Sequence, residues 1–445
     1  MPRTGWRKPE SGERLSDHVS ISVLTRVYPP AVVDAAIAAT GKSEQRRRLL
    51  PARVVMYGVM AMALFSEDSY EDVMRRVVDG LSWLADWRTP CTVPTKAAIS
   101  KARERLGTEP PMALFRSVVR PLAGKGLRGV WYRGWRLMSF DCATLDVADT
   151  SENAGRFGKA GIPRDDGGSE LPQLRLAALA ENGTHAIIDV AIGAYQTSEA
   201  DLKRQLLRSL HPDMLCLSRC PSFSLALWQE AAKSDAELLW QVPDDQVFTV
   251  VRELPDGSYL SRIYASEYDS RQDHGGSMVR VIECGCPHSD TSCRLICTIL
   301  DPDIAPAPEL ARLYCTRWRF ESALDELKSM QGAPRLVLRS RTPEGVIQEI
   351  YGYLLTHYAI RALVYDSEIP DVATEFAGPA PIVPSLDASP AREQGCGGCQ
   401  RMGCGGCPFA PEAHVVIRGV PEPALRLEAP AAAGAVRRLA AAKSH

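Results

Sequence analysis

Residues 314–328 read YCTRWRFESALDELK and give the strongest indication of the fold. An α-helix turns by about 100° per residue, so Tyr314, Arg317, Glu321 and Lys328 fall within roughly 60° of one another on its surface. On the adjacent flank the helix presents an apolar stripe of Phe320, Leu324 and Leu327. Such a stripe predicts that one side of the helix packs on a core. The polar stripe therefore faces something other than that core.

The polar stripe has residue types that suit a divalent metal beside a phosphodiester. Glu321 would supply a hard oxygen ligand, and Arg317 and Lys328 would bind phosphate oxygens. Tyr314 would stack or hydrogen-bond beside them. The alternative is a solvated helix face in which Arg317 and Glu321 form an i,i+4 ion pair. Spacing alone favours the solvated face, because charged stripes are common on helices.

The order of these residues resembles the signature helix of the insertion sequence 4 family of DDE transposases: Tyr, two residues, Arg, three residues, Glu, six residues, Lys. The resemblance extends over about residues 14–365. It implies an α/β fold with a ribonuclease-H-like mixed sheet and flanking helices, and the reaction of cut-and-paste DNA transposition. It also implies that Glu321 is the last metal-binding carboxylate and that Arg317 and Lys328 hold the DNA strand near the cut.

Length and composition set the limits of the interpretation. A chain of 445 residues is sufficient for two or three domains. The formal net charge of −2 means that DNA binding must come from local basic patches, and an odd number of cysteines, 13, argues against a disulfide framework. The first 13 residues lack the apolar segment of a signal peptide, and the apolar residues 54–65 are too few to span a bilayer. We therefore expect a cytoplasmic protein with no membrane partner.

Changes in composition and in predicted secondary structure along the chain predict three regions. Residues 1–130 are expected to form a helical domain, to which the resemblance assigns DNA binding. Residues 131–365 are expected to form the ribonuclease-H-like catalytic domain, interrupted by a β-rich insertion at about residues 238–305. Residues 366–445, rich in Pro, Ala and Gly, are expected to be a low-complexity, disordered tail.

A basic helix is predicted after Pro94. Lys96, Ser100 and Arg103 lie at positions i, i+4 and i+7, with further basic residues nearby. Such a face could meet DNA phosphates or enter a groove, and an ordinary solvated helix explains it equally well.

The apolar run that ends at Asp141 predicts a buried strand that places this carboxylate near its end. The surrounding residues resemble the family's first catalytic Asp motif, which maps onto Asp141. By that resemblance Asp141 is a catalytic metal ligand, and Asp146 and Asp149 are loop acids. After it, residues 174–179 and 185–190 predict a β-hairpin across the turn at residues 181–184.

The strand from Met214 departs from the family. Residues 214–223 resemble the motif in which an apolar strand ends in the second catalytic Asp, and Arg219 occupies that Asp position. A guanidinium group cannot ligate a cation and would repel it. Asp213 cannot substitute, because six strand residues separate the two positions by about 20 Å. The sequence thus predicts an impaired catalytic centre.

Two functions that involve DNA remain open, beside a third in which the chain is a metal-binding protein that acts through its CxxC tail. The first is a DNA transposase in which Asp141 and Glu321 hold Mg²⁺ or Mn²⁺ and the protein cleaves and joins DNA. Its partners would be double-stranded DNA at the transposon ends and target DNA, with assembly of a homodimer on the DNA. The second is a catalytically inactive, transposase-derived DNA-binding protein, which Arg219 favours.

Cysteines suggest two further metal sites. Cys284, Cys286, His288 and Cys293 fit no standard zinc spacing, and cysteines on strands explain them better. In the tail, Cys396, Cys399, Cys404 and Cys407 form two CxxC pairs with a short spacer. These four thiols could bind zinc, or they belong to a disordered tail or to out-of-frame sequence, since the resemblance does not cover this region.

Overall fold

The structure is a computed structural model in which most of the chain between residues 15 and 368 is described. The described residues are 15–46, 48, 50–83, 94–125, 129–159, 171–264, 267–272, 275–285, 292–316, 323–324, 327 and 337–368. Of the residues predicted to form sites, Arg317, Glu321, Lys328 and the tail cysteines lie outside the described residues.

Six helices in the described part precede the first strand. They are α1 (Leu15–Val27), α2 (Pro30–Ala39), α3 (Ala52–Leu64), α4 (Tyr70–Trp83), α5 (Lys96–Leu106) and α6 (Glu109–Val118). All residues from Val54 to Ala63 are buried, so α3 is the central helix of the group. This burial explains why the run is apolar on every side rather than along one stripe.

Strands and further helices then follow in chain order. They are β1 (Trp131–Tyr132), β2 (Trp135–Val147), α7 (Ser151–Phe157), β3 (Gln173–Glu181), β4 (Ile187–Ala194), α8 (Glu199–Leu206), β5 (Met214–Arg219), α9 (Leu225–Ala232), β6 (Glu237–Val242), β7 (Arg252–Glu253), β8 (Tyr259–Ile263), α10 (Glu267–Gln272), β9 (Ser277–Gly285), β10 (Ser292–Cys297), α11 (Ala307–Thr316), β11 (Val337–Leu338) and α12 (Pro343–Glu368). The predicted hairpin is present as β3 and β4.

Within the described residues the strands form a single mixed sheet. Five of them lie in the order β4-β3-β2-β5-β6, in which β4, β3 and β2 are antiparallel neighbours and β2, β5 and β6 are parallel neighbours. The parallel connections run through α8 and α9, which pack on one face around Leu202 and Trp228. Helix α11 packs on the opposite face through Leu310 and Tyr314. This arrangement confirms the predicted ribonuclease-H-like fold.

The predicted insertion extends the same sheet. Strand β10 pairs antiparallel with β6, and β9, β8 and β7 follow outward from it. Residues 237–242, near the predicted start of the insertion, instead form β6, which is the fifth strand of the central order. The central order therefore extends to Val242, because the apolar run before it pairs in parallel with β5.

A buried ion pair ties this extension to α11. The Arg280 side chain is fully buried and pairs with Asp256; its Nε donates to Ser258 Oγ at 2.8 Å and its Nη1 to the Ala305 carbonyl at 2.7 Å. Asp256 Oδ2, the oxygen that pairs with Arg280, also accepts the N–H of Ala307, the first residue of α11, at 2.8 Å. Burial alone would raise the pKa of Asp256, but the hydrogen bonds from Ser258 and Ala307 and the Arg280 charge outweigh burial and lower it.

The last described helix, α12, packs among the N-terminal helices. The Tyr28 hydroxyl donates to the Leu355 carbonyl at 2.7 Å, and the Thr356 hydroxyl donates to the Met60 carbonyl at 2.9 Å. At Gly352 the two backbones approach so closely that an added Cβ would lie 2.4 Å from the Val59 carbonyl oxygen. The chain therefore returns after the sheet to complete the helical core.

We expect Gly352→Ala to destabilise the protein by about 1–3 kcal/mol, as overpacking does in cores. The clash is with backbone, which cannot rotate away as a flexible side chain can, so it exceeds the gain of about 1 kcal/mol in helix propensity. The matched control is Gly155→Ala in α7, where an added Cβ meets nothing within 4 Å. Urea denaturation should show a lower unfolding free energy for the first variant and an equal or higher one for the second. Equal stabilities of the two variants would contradict the close approach.

Regarding membranes, we find in the described ranges no single helix that is both long and apolar enough to cross a bilayer. Residues 21–27 and 30–39 reach the required length only when taken together, and these two segments meet at an angle of 65°.

Candidate active site

Three side chains form a row across the parallel strands of the central sheet. Phe140 of β2 pairs with Ser218 of β5, so the next positions along these strands, Asp141 and Arg219, lie side by side. Arg219 is itself paired with Gln241 of β6. Neighbouring strands are about 4.8 Å apart, and laterally paired residues project from the same face. Asp141, Arg219 and Gln241 therefore project from the face on which α11 packs.

The sequence predicted that Asp141 lies near the end of its strand, but in the structure it lies in the middle of β2. The strand continues to Val147 because the antiparallel neighbour β3 pairs along its whole length, including Asp141 with Ala178. The carboxylate is half-buried, and its Oδ1 accepts the Cys142 N–H at 2.8 Å. Burial raises the pKa of the adjacent Cys142 thiol to about 12, so this thiol stays protonated at neutral pH.

Arg219 is the last residue of β5 and is exposed to solvent. Its backbone is held from the other side of the sheet by Lys203 of α8, which is 3% exposed. Lys203 Nζ donates to the Arg219 carbonyl at 2.8 Å and to Ser218 Oγ at 3.1 Å. No salt bridge within 4 Å joins the Arg219 guanidinium to Asp141, although both residues are described. The strand end is thus fixed while the guanidinium extends outward.

Tyr314 lies above the third member of the row. Its hydroxyl donates to Gln241 Oε1 at 3.0 Å and approaches the Ser218 carbonyl at 3.5 Å, and the residue is only 1% exposed. The sequence predicts that Tyr314 binds DNA. In the structure the phenol is buried because α11 packs against the sheet, and its hydrogen bond holds Gln241 beside Arg219. DNA binding by Tyr314 stays a prediction.

After Thr316, the signature segment is described only at Ala323, Leu324 and Leu327. All three side chains are buried in the same apolar cluster as Ala143 and Leu145, which share the face of Asp141. The apolar stripe predicted for this segment thus packs on the core where it is described. Of these segment residues, Tyr314 contacts the row directly, through Gln241.

The described side chains do not fit a two-metal centre. In the part of the chain that the structure describes, no group of three or more His, Cys, Asp or Glu side chains is arranged to hold a metal ion. Within the row, Arg219 has no lone pair to offer a cation, and the amide oxygen of Gln241 is engaged by Tyr314. Asp141 is the one carboxylate of the row, and two-metal phosphoryl transfer needs both ions held around one phosphate.

Several predicted site residues have structural roles. Arg103 is buried, and its guanidinium donates to Gln348 Oε1, Ser340 Oγ and the Gly345 carbonyl, so the proposed basic face of α5 is wrong at this position. These acceptors come from a segment more than 200 residues away, which local periodicity cannot reveal. Lys96 and Lys101 of the same helix are exposed.

The neighbouring acids and cysteines are also placed. Asp146 is not a loop acid: it lies within β2, is buried, and accepts a hydrogen bond from Gln173 Nε2 at 2.8 Å. Asp149 is exposed and pairs with Lys159 at 2.9 Å.

Cys284 and Cys293 face each other across β9 and β10 inside the core, as expected of cysteines on strands; Cys286 and His288 are outside the described residues.

Sequence reasoning missed two residues of the site, Gln241 and Lys203. Gln241 lies at the end of an apolar run, as Asp141 and Arg219 do, and that shared position is the signal that could have found it. Lys203 gave no signal, because a lysine on a short charged helix is ordinarily exposed.

Family models of known proteins match most of the chain. A family model described as the insertion element 4 transposase N-terminal region matches residues 18–116, and one described as the transposase DDE domain matches residues 139–358. Fold and matches together define a transposase of the DDE class, whose catalytic domains generally use divalent metal ions. The chain belongs to the insertion sequence 4 family of these enzymes.

Two relatives from Escherichia coli strain K12 align with the chain, one over most of its length and the other over about half. The transposase InsG of insertion sequence element IS4 is 25% identical over 338 residues, which are 75% of this chain and 74% of InsG. InsZ is 24% identical over 210 residues, which are 47% of this chain and 64% of InsZ. A cryo-electron-microscopy structure of the piggyBac transposase synaptic complex with hairpin DNA matches 78% of this chain and 75% of its own, at 10% identity and with a TM-score of 0.38.

Proposed function

We propose that this transposase binds double-stranded DNA at the ends of an insertion sequence and that its DNA cleavage and strand transfer are impaired by Arg219. The observation that carries the proposal is the side-by-side position of Arg219 and Asp141 on neighbouring parallel strands. The family membership supports the reaction, and the charge of the guanidinium supports the impairment.

Residue roles follow from the same proposal. Asp141 and Glu321 are the ligands for Mg²⁺ or Mn²⁺, and Arg317 and Lys328 bind DNA phosphates near the cut. Tyr314 acts at this site through Gln241 and so shapes the surface that meets DNA. The further partners are target DNA and a second copy of the chain, as a homodimer assembled on the DNA.

The proposal is tested by a nicking assay on a supercoiled plasmid that carries the coding sequence with its flanking DNA. We expect the unaltered protein to bind this DNA and to nick it weakly with Mg²⁺ or Mn²⁺. Asp141→Asn and Glu321→Gln should remove the residual nicking, because each lacks a carboxylate ligand, and should keep DNA binding. The matched control is Asp149→Asn, an exposed acid outside the row, which should nick as the unaltered protein does.

Two results would contradict the proposal. One is a folded protein that does not bind the plasmid DNA at any metal concentration. The other is an Asp141→Asn variant that nicks as fast as the unaltered protein, since the cleavage would then come from elsewhere.

A second candidate is a DNA-binding protein without any cleavage activity. Arg219 favours this function too, since a permanent positive charge beside Asp141 opposes binding of a cation. This candidate predicts DNA binding with no nicking by the unaltered protein and none after Arg219 is replaced by an acid. The first candidate predicts that such a replacement restores nicking.

A further inference from the structure

We propose that Arg219 makes the row of Asp141, Arg219 and Gln241 a binding site for a DNA phosphate that needs no metal ion. The inference rests on the proposed function, in that the face carrying the row meets DNA. It goes further by stating what holds the phosphate: a guanidinium that belongs to the protein.

The first argument is the charge of the row. Two neighbouring carboxylates would carry a charge of −2 and repel a phosphate unless a cation lay between them. With Arg219 beside Asp141, the formal charges of the two side chains cancel. Within the row, the repulsion between two neighbouring carboxylates and a phosphate is therefore absent.

The second argument is the availability of the guanidinium. Arg219 is exposed, and in the described part of the chain its side chain makes no hydrogen bond or salt bridge. A guanidinium has five N–H donors in a planar fork that matches two phosphate oxygens. It therefore has the capacity to bind a phosphate while remaining next to Asp141.

The third argument is the rigidity of its support. Buried Lys203 holds the Arg219 carbonyl, and the Cys220 N–H donates to the Gln241 carbonyl at 3.0 Å. On the other face Tyr314 holds the Gln241 side chain. The backbone that carries Arg219 is thus fixed before DNA arrives, which lowers the entropic cost of binding.

The test measures the affinity of the full-length protein for a fluorescein-labelled DNA duplex taken from the sequence that flanks the coding region. Anisotropy is recorded at several salt concentrations, in EDTA and in Mg²⁺. We expect the affinity of the unaltered protein to be the same in both. Arg219→Gln should weaken binding by about 10-fold in both, and reduce the slope of log affinity against log salt by about one, as loss of a charged phosphate contact does.

Arg219→Asp supplies the opposite behaviour. In EDTA, the Arg219→Asp variant should bind DNA more weakly than the Arg219→Gln variant, because it has two neighbouring acids. Its affinity should recover when Mg²⁺ is added. The matched control is Arg252→Gln, an exposed arginine on β7, which lies five strands from β5 and therefore about 24 Å away. This control should bind as the unaltered protein does.

The outcomes separate this inference from the proposed function. Two results would overturn the phosphate site while leaving DNA binding by the transposase intact. One is an Arg219→Gln variant with the affinity and salt slope of the unaltered protein. The other is a loss of DNA affinity in EDTA that is as large for the unaltered protein as for Arg219→Asp. If the folded, unaltered protein does not bind the duplex, both proposals fail.

Discussion

Arg219→Asp is expected to raise metal-dependent nicking by at least about 100-fold over the unaltered protein. The substitution removes the positive charge beside Asp141 and places a carboxylate on the neighbouring strand, about 4.8 Å from it. Metal ions that clamp the attacking and leaving oxygens contribute several kcal/mol to phosphoryl transfer, and each 1.36 kcal/mol is about a tenfold change in rate. Nicking rates with Mg²⁺ and with Mn²⁺ on the same plasmid measure the effect.

Two further variants determine the origin of the gain. Arg219→Asn removes the charge without supplying a carboxylate and should recover only a small part of the activity. Arg219→Asp combined with Glu321→Gln should lose the gain altogether, because the proposed ligand set is again incomplete. If Arg219→Asp binds DNA and still does not nick it, the centre has changed at more than this one residue, and the function without cleavage is the correct one.

Arg280→Met is expected to lower the free energy of unfolding by about 3 kcal/mol. It removes one partner of a buried ion pair and leaves Asp256 without the charge that faces it, a change that typically costs 3–5 kcal/mol. We take the lower end because Asp256 is partly exposed and keeps its hydrogen bonds from Ser258 and Ala307. Urea denaturation followed by tryptophan fluorescence measures the loss.

The control for this variant is Arg252→Met on the exposed edge strand, where a surface substitution should change the unfolding free energy by less than about 0.5 kcal/mol.

Asp256→Asn adds a test of how the stability of the fold depends on pH. Because the folded-state pKa of Asp256 is below its ordinary value, its carboxylate stabilises the fold above the unfolded-state pKa. That contribution is lost as the pH falls through the folded-state pKa, so Asp256→Asn should cost most near neutral pH and progressively less in acid. An equal cost at every pH would show that the pair is not ionised.

Much of the central fold was predictable because it depends on local apolar patterns. The runs before Asp141 and Arg219 predicted buried strands, and the turn at residues 181–184 predicted the hairpin. The limits of these patterns are visible at β6, whose apolar sequence was assigned to the insertion. Its parallel pairing with β5 joins residues more than 20 positions apart, and a strand's own sequence does not state which neighbour it pairs with.

The candidate site was predictable to the extent that its members lie at the ends of such runs. Asp141 and Arg219 were both identified, and the structure adds that they occupy adjacent positions in register. Gln241 and its hydrogen bond with Tyr314 depend on a contact between β6 and α11, whose two residues lie 73 positions apart along the chain.

The sequence by itself determined the family, and it predicted Asp141 as the first acid and Arg219 in place of the second, because each is a matter of residue type and order. Only the tertiary structure decided which charged and aromatic side chains face solvent. Arg103 and Lys203 are buried because acceptors from distant segments satisfy their donors, and Tyr314 is buried because α11 lies against the sheet. The physical reason is that the cost of burying a polar group depends on its partners, and those partners are brought together by folding rather than by neighbourhood along the chain.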